Sequence, residues 1–392
     1  MIRHLVKLIW NKRRKNSLLI TEIALSFFVF FAVLSFAIYN FNNYLQPLGF
    51  AYEDVWVINM EWGNNGEKAP SLLEKQSHMI HTLQQFSEIE EFTFSGYALP
   101  FSQSSSRSTV KLNDVEVSTS VFHTTPNYDK TMNLNLLEGR WYHETDLHAT
   151  PPSIVVNQLL KDKLMPDGGS IIGQEISFGG DVDYRVIGLI DHFRSVHEFQ
   201  EPPNVAFMQV GDTSFVPNCI LLKVSSSADV YFEEKLLNDL TQIAPNWTFE
   251  LEYLDEKRII AGKVITIPLI LMFTVCGFLI FNVALGLFGV LWYNINQRKS
   301  EIGLRRATGA SENMITQQFI SETWVLATLG ILIGTFFAVQ FPLLNVFDLN
   351  PSIYLLAIGA SMILIYLLTT LCAFFPSKQA AIIEPALALH EE

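Results

Sequence analysis

Four long stretches of the chain contain almost no charged residue. They cover residues 17–39, 264–293, 323–344 and 353–375. Each approaches or exceeds the roughly 20 apolar residues that an α-helix needs to cross a bilayer, and the pattern therefore predicts four transmembrane helices. A cleavable signal peptide is the alternative for the first stretch, but that stretch is longer than the roughly 7–15 apolar residues of such a peptide.

Two of these stretches are expected to extend beyond the membrane. As a helix, the run at 264–293 would be about 45 Å long against about 30 Å of hydrocarbon. The first run continues through apolar positions until Pro47 and Gly49. We therefore predict that residues 17–50 and 254–293 each combine a span with a stalk, and that the stalks carry the segment between them.

The segment between the first two spans repeats one pattern. Residues 51–103 have the alternation of a strand, then an amphipathic helix, then a second strand, and residues 217–253 have the same order. Two such units form a split β-α-β layer. Residues 104–216, rich in short strands and turns, are then a β-rich lobe inserted into that layer. The predicted fold class is an α+β membrane protein with four transmembrane helices and a large extracytoplasmic α/β domain.

Basic residues indicate the side of the membrane that each segment occupies. They concentrate in residues 1–16 and 294–322, with Lys378 in the tail at 376–392, whereas the loop between the third and fourth spans has none. Because basic loops stay in the cytoplasm, both termini and residues 294–322 are predicted to be cytoplasmic, and residues 41–263 extracytoplasmic. One observation opposes this orientation, since basic residues also flank the outer end of the second span: Lys257, Arg258 and Lys263.

Composition agrees with a membrane protein and narrows the partners. The chain is 49% hydrophobic and 17% charged, whereas soluble domains have about 25% charged residues. The net charge is −13, and the acidic excess lies in residues 41–263. An acidic block argues against nucleic acid, whose phosphates require a basic surface. The three cysteines are far apart in sequence, so neither a disulfide framework nor a zinc site is expected from close pairs.

No motif for catalysis is found in the sequence. It lacks the phosphate loop G-x-x-x-x-G-K-[ST], the dinucleotide motif G-x-G-x-x-G and the hydrolase motif G-x-S-x-G. We therefore predict that the chain is not an enzyme and binds no cofactor or metal of its own. His143 and His148 are spaced i, i+5 rather than the i, i+4 of a zinc protease, which favours a solvated loop. His78 and His81 with Glu74 fit either a polar helix face or a set of ligands.

Residues 296–322, "NQRKSEIGLRRATGASENMITQQFISE", combine charges of both signs with Ile302 and Leu304. Such a segment can lie along the membrane surface as a helix and present charge to a cytoplasmic partner. Alternatively, it is a surface loop whose arginines serve only the topology. Gly309 is expected to end one helix and Ser311 to begin the next. The residues alone leave both interpretations open.

Three further features have two interpretations each. Gly330 and Gly334 form a GxxxG pair in the third span, which lets another helix approach closely, either within the bundle or in a dimer. Glu22, inside the first span, is either a functional acid or one that reaches back to the interface. Residues 1–16 fit an interfacial amphipathic helix or a topology signal.

The cytoplasmic segment resembles the hallmark of a known family. "RKSEIGLRRATGAS", followed by "QQFISE" and the glycine pair, is similar to the (R/K)xxEIGxRRAxGA(S/T) segment that precedes the third span in the MacB/FtsX family of ABC transporter permeases. "LLEGRWYHETD" and "YRVIGLIDHF" are similar to two further elements of that family. The tail resembles its closing motif at Pro376, Ala380, Pro385, Ala388 and Leu389.

The resemblance implies a permease subunit of the bacterial cytoplasmic (inner) membrane that works with an ABC ATPase, on which ATP and Mg²⁺ bind. Because few residues precede the first span, that ATPase is expected to be a separate chain. The permease would pair as a homodimer or with a similar subunit, and a periplasmic adaptor and an outer-membrane duct are further implied partners. The two outside lobes resemble the Porter and Sabre subdomains of the family. The resemblance assigns ATPase coupling to Glu301, Ile302, Gly303, Leu304, Arg305, Arg306, Gly309 and Ala310.

The family resemblance leaves more than one function open. In the leading one, mechanotransmission, the stalk conveys closure of the ATPase to the outside domain, which exports an amphiphile, a peptide or a lipoprotein. The alternative is an FtsX-like regulatory or sensing protein that controls cell-wall hydrolases or responds to antimicrobial peptides. The size of the outside block favours export. An intramembrane or metal-dependent enzyme is a third alternative, against which the missing H-E-x-x-H motif argues.

Overall fold

The computed structural model describes residues 13–62, 69–96, 99–102, 106–179, 182–210 and 217–382. The chain divides into two compact units. The helical unit contains the described residues up to Phe41 and those from Thr266 onwards, and the sheet unit contains Asn42–Ile265.

In chain order, the α-helices are α1 (Arg13–Tyr44), α2 (Ala69–Leu83), α3 (Tyr128–Thr131), α4 (Gln158–Leu164), α5 (Val230–Ile243), α6 (Leu254–Gln297), α7 (Lys299–Ala307), α8 (Glu312–Ala338), α9 (Gln340–Leu343) and α10 (Pro351–Ala381). The strands are β1 (Val55–Trp62), β2 (Ile89–Ser95), β3 (Ser106–Leu112), β4 (Val115–Thr124), β5 (Leu136–Gly139), β6 (Ser153–Asn157), β7 (Glu175–Phe178), β8 (Val182–Ile190), β9 (Val205–Gln209), β10 (Cys219–Val224) and β11 (Trp247–Tyr253).

The helices α1, α6, α8 and α10 are long and apolar enough to cross a membrane, which confirms the four predicted spans. Some of their ends differ from the predicted ones. The helix α1 ends at Tyr44, before Pro47 and Gly49. The helix α6 begins at Leu254, as the predicted stalk does, but continues to Gln297, so it has 44 residues, or about 66 Å. The helix α10 continues through Pro376 to Ala381. The last turn persists because Ala381 is buried against neighbouring helices, which offsets the hydrogen bond that proline removes.

The core of the helical unit contains residues of α1, α6, α8 and α10. Phe27 and Phe31 of α1 are fully buried there with Ile331 of α8 and Tyr354 of α10. The helix α6 contributes least. Only 6% of the most apolar stretch of α6 is buried inside the structure, against 33% or more of the corresponding stretch in each of the other three helices. A large apolar face of α6 is therefore uncovered by the rest of the described chain.

The sheet unit begins and ends with a split β-α-β layer. Its strands lie in the order β11-β1-β10-β2, all antiparallel, as the two strand-helix-strand repeats predict. Alternate residues of the central strands face two different cores. In β1, Ile58 packs with residues of α2 and α5, whereas Val57 faces the opposite core with Leu221 of β10. Burial on both faces explains why "CILLKV" in β10 is apolar except at Lys223, which is partly exposed and pairs with Glu90.

The inserted lobe is a closed ring of strands. Its order is β4-β3-β7-β8-β6-β9, and β9 pairs in parallel with β4 to complete the ring. The interior is filled by aliphatic and aromatic side chains, including Leu160 and Leu164 of α4. Among the described residues, the ladder between β2 and β4 consists of the pair Ser95 with Thr124, flanked by backbone hydrogen bonds from Gly96 to His123 and from Thr125 to Phe94, so the ring and the layer belong to one sheet. The predicted fold class is confirmed, with a β-rich lobe inserted into an α/β layer.

Candidate functional site

Within the predicted cytoplasmic segment, residues 296–322, the short helix α7 covers Lys299–Ala307 and α8 begins at Glu312. The helix ends as the glycine predicts, because Gly309 has a φ of +96°, a conformation that favours residues without a side chain. The amide of Ala310 donates to the carbonyl of Arg305 at 3.0 Å, and the amide of Gly309 donates to the carbonyl of Arg306 at 3.1 Å. These two bonds form a Schellman motif. The hydroxyl of Ser311 then accepts from the amide of Met314 and begins α8.

One face of α7 is turned toward the protein. Ile302 is buried in a small core with Ile315 and Phe319 of α8 and Ala380 of α10. Gly303 is also buried. These two motif residues therefore fix α7 on its neighbours and do not themselves lie on the surface. The motif thus contains two kinds of position that a sequence pattern alone does not separate.

The opposite face of α7 is exposed. Glu301 and Arg305 form an i, i+4 ion pair at 2.6 Å, and each side chain is about half exposed. Arg305 also donates a hydrogen bond to Gln318 of α8. Leu304 is 57% exposed beside this pair. This face offers a fixed cation, a carboxylate and an apolar side chain to a partner.

Two ion pairs hold the ends of this region in place. Arg306 bonds Glu312 at 3.2 Å across the loop between α7 and α8. Arg298, which precedes α7, binds both oxygens of Glu322 at 3.0 Å, and both side chains are largely buried. Sequence reasoning missed the second pair. The signal was Glu322 itself, because a carboxylate at the start of a span requires a partner.

The glycine pair of the third span packs within the chain. An ideal Cβ on Gly330 would lie 2.7 Å from Cγ2 of Ile23, and one on Gly334 would lie 2.4 Å from Cδ1 of Phe27. Both neighbours belong to α1. The close approach is therefore between α8 and α1, which is the bundle interpretation of the GxxxG pair.

Glu22 of α1 lies against α6. An ideal Cβ on Gly286 of α6 would lie 2.9 Å from a carboxylate oxygen of Glu22.

The element "GRWYHETD" of the sheet unit is a structural brace. Gly139 has a φ of +73°, and a Cβ there would lie 2.2 Å from the carbonyl oxygen of Ile187. Arg140 binds both oxygens of Asp146, at 2.6 and 2.7 Å. This hydrogen bonding lowers the pKa of Asp146 to about 2. The segment Glu144–His148 is a short 3₁₀ helix, and no cluster of three or more potential metal ligands occurs among the described residues.

Two of the three basic residues that opposed the predicted orientation form ion pairs in the sheet unit. Lys257 bonds Glu252, and Arg258 bonds Glu198 at 2.8 Å. Both belong to the first turns of α6.

The helical unit also contains an apolar cavity of about 500 Å³. It is lined by side chains of α1, of α9, of α10 and of the segment that joins α9 to α10: Phe31, Ala32, Ser35, Phe36, Tyr39, Phe341, Phe347, Leu349 and Tyr354. Its wall contains no acidic or basic side chain.

Two sequence predictions fall wholly or mostly outside the described residues. They are the amphipathic character of residues 1–16, of which 1–12 are not described, and the motif positions Pro385, Ala388 and Leu389.

Two family profiles match the chain. That of the MacB-like periplasmic core domain matches residues 18–236, more than half of the chain, and that of the FtsX-like permease C-terminal region matches residues 272–385. The chain is 25% identical over 334 residues to the macrolide export ATP-binding/permease protein MacB 2 of Yersinia pestis, covering 81% of this chain and 48% of the relative. It is 24% identical to the pyoverdine export ATP-binding/permease protein PvdT of Pseudomonas putida, covering 68% and 42%.

The chain thus spans about half the length of these curated relatives. An uncharacterized ABC transporter permease of Bacillus subtilis, YvrN, is 22% identical and matches over 66% of this chain and 67% of its own length. Among solved structures, the periplasmic region of MacB from Actinobacillus actinomycetemcomitans aligns with a TM-score of 0.38 and 16% identity, covering 54% of this chain and 94% of that region.

Proposed function

Because the chain belongs to the family of MacB-like and FtsX-like ABC transporter permeases, we propose that it couples ATP hydrolysis by a partner ATPase to export of an amphiphile, a peptide or a lipoprotein. The family prediction made from the cytoplasmic motif is confirmed. Export is supported by the similarity to a macrolide export protein and a pyoverdine export protein. The proposal places ATP and Mg²⁺ on the ATPase, since the sequence has no phosphate loop.

The geometry of α7 is the observation that carries this proposal. Its inner face is anchored by Ile302, and its end is fixed by Gly309. Its outer face presents Glu301, Leu304 and Arg305 to the solvent. A short rigid helix with one anchored and one exposed face suits a contact that must transmit force, because the contact cannot yield without moving α8. We propose that this exposed face binds the ATPase in the cytoplasm.

The same proposal assigns the uncovered face of α6 to a second permease chain. Large apolar side chains of this helix are exposed in the single chain, including Ile270, Leu271, Phe278, Phe281 and Leu285. Either a second copy or a similar permease would cover them. Movement would then reach the outside along α6, which begins at Leu254 directly after β11 ends at Tyr253. Because no loop separates them, a shift of α6 acts directly on β11, the edge strand that pairs with β1.

A charge reversal at Glu301 tests the ATPase contact. Glu301→Lys removes the pair with Arg305, which as an exposed i, i+4 pair contributes only about 0.3–0.5 kcal/mol. The variant is therefore expected to reach the membrane at normal levels and to melt at nearly the parent temperature. It should lose co-purification with the ATPase, because a like charge now faces the site where Glu301 is complementary.

The matched control is Glu175→Lys. Glu175 forms a similarly exposed ion pair with Arg185, at 3.0 Å, but in the sheet unit. This variant should keep the ATPase. Retention of both the partner and the transport phenotype by Glu301→Lys would show that α7 is only a surface element. In a second test, the purified chain alone should hydrolyse no ATP and should gain activity only with the ATPase. Vanadate-sensitive hydrolysis by the lone chain would contradict the proposed division of labour.

A further inference from the structure

Arg194 lies in the loop after β8 and is 1% exposed. Its guanidinium donates hydrogen bonds to four backbone carbonyls. Two belong to the end of α1 and the turn after it, those of Asn43 at 2.5 Å and Gln46 at 3.1 Å. The other two, of Glu198 and Gln200, belong to its own loop. One buried side chain therefore joins the end of a membrane helix to a loop of the sheet.

This arrangement is what the end of α1 requires. The last four carbonyls of a helix have no partner within it, and a cation near them also complements the helix dipole. An arginine has five donors in a planar fork and can satisfy several carbonyls at once. Burying its charge is tolerated because the carbonyl oxygens replace water. Arg194 thus caps α1 from outside the helix.

The loop of residues 191–200, which we call the clasp, holds α1 by further contacts. The side-chain amide of Asn43 donates to the carbonyl of Phe199 at 3.0 Å. The rings of Phe199 and Tyr44 are stacked, with centroids 5.5 Å apart. Gly49 has a φ of +85°, and a Cβ there would lie 1.8 Å from the carbonyl oxygen of His192. The chain that leaves α1 therefore lies directly on the clasp.

The clasp also contacts the start of α6. Glu198 binds Arg258 of α6 at 2.8 Å, and both side chains are partly buried. The guanidinium of Arg258 lies 4.3 Å from the centre of the Tyr52 ring. Phe199 is 3.4 Å from the position that a Cβ on Gly262 would take. All of these residues belong to the sheet unit.

We propose that the clasp is the joint that makes the ends of α1 and α6 move as one body with the sheet, and that Arg194 is its positioning residue. The proposal rests on the proposed function, because it names the place where helix motion enters the outside domain. Without Arg194, the last turn of α1 loses its cap and can turn independently of the loop. ATP hydrolysis should then continue while the sheet no longer follows it.

The test uses the full chain with its ATPase, carrying one spin label per chain at Tyr231→Cys. Tyr231 is 81% exposed on α5, and the three native cysteines are replaced. In the parent, ATP should change the distance between the two labels of the paired permease. Arg194→Met should abolish most of that change while ATPase turnover stays within about two-fold. Arg185→Met removes an exposed arginine of β8 and should behave like the parent.

Hydrogen exchange gives a readout that needs no partner. In Arg194→Met, amides of residues 43–52 and 191–200 should exchange about ten-fold faster, since hydrogen bonds to a charged group are lost there. Amides of the ring strands should be unaffected. Parent-like exchange in both segments would overturn the role given to Arg194.

A second pair of variants covers the case in which Arg194→Met does not fold. Glu198→Gln and Arg258→Gln each break the contact between the clasp and α6, and each should reduce the ATP-dependent distance change. The double variant should be no worse than either single one, because both act through one ion pair. The clasp proposal fails if Arg194→Met, or both glutamine variants, move like the parent. If the parent itself shows no ATP-dependent change, the proposed function fails instead and takes the clasp with it.

Discussion

Replacing Gly334 by alanine should destabilise the helical unit. The added methyl would lie 2.4 Å from Cδ1 and 3.0 Å from Cγ of Phe27, and 3.2 Å from the carbonyl oxygen of Ala24. Carbon atoms pack best at about 3.5–4.0 Å. Phe27 is fully buried, so its ring has little room to move away. Either α8 must separate from α1 or the ring must leave its preferred rotamer.

The size of the effect follows from two opposing contributions. Overpacking of this kind costs about 1–3 kcal/mol, whereas glycine to alanine within a helix gains about 1 kcal/mol. The net loss is up to about 2 kcal/mol, roughly a thirty-fold fall in the ratio of folded to unfolded protein. Gly359 of α10 is the matched control, because a Cβ there meets no atom within 4 Å. Gly359→Ala should therefore be neutral or slightly stabilising.

Thermal unfolding in detergent, followed by tryptophan fluorescence, measures both variants, and size-exclusion chromatography reports pairing of the chains. We expect Gly334→Ala to melt below the parent and Gly359→Ala to melt at or above it. Suppose instead that Gly334→Ala melts like the parent but no longer forms pairs. The glycine would then face a second chain, and the reasoning from the contact with α1 would be wrong.

Two further predictions concern pH and topology. The folded-state pKa of Asp146 is about 2, below its unfolded value of about 4, so its pair with Arg140 stabilises the fold above about pH 4 and is lost as the pH falls toward 2. Asp146→Asn should thus lower the melting temperature at pH 7 but have little effect at pH 2, measured by circular dichroism. In spheroplasts, Cys219 should resist an impermeant thiol reagent because burial raises its pKa to about 12, whereas Tyr231→Cys should be labelled and Asn313→Cys should not. Labelling of position 313 from outside would reverse the orientation.

Several elements were predictable because they depend on local patterns. Apolar runs define the spans, since a helix in lipid must satisfy its own backbone and expose apolar side chains. The strand-helix-strand repeats follow from alternation, and Gly309 and Ser311 mark the boundary of α7 and α8 through rules that concern one turn of helix. Each of these features depends on residues close together in sequence.

Contacts between distant residues were not predictable in the same way. Alternation shows that one face of β4 is buried, but not that its partner is β9. Nothing in "DHFRS" distinguishes a buried capping arginine from an exposed one, because the role of Arg194 depends on hydrogen bonds to the distant carbonyls of Asn43 and Gln46. The coupling motif likewise includes Ile302 and Gly303, whose inward direction depends on where α8 and α10 lie.

The nested pairing of the sheet has a consequence for the order of folding. Among the described strands, β1 pairs with β10 and β11 alone, the last two of the sheet unit. The ring strands lie between them in sequence and pair mainly among themselves. During synthesis, β1 must therefore wait, with its hydrogen-bonding groups unpaired, while the ring completes itself. Such long-range pairing is slow and leaves an open strand edge exposed to other chains. A chaperone that protects this segment would act before residue 253 emerges and would be unnecessary afterwards.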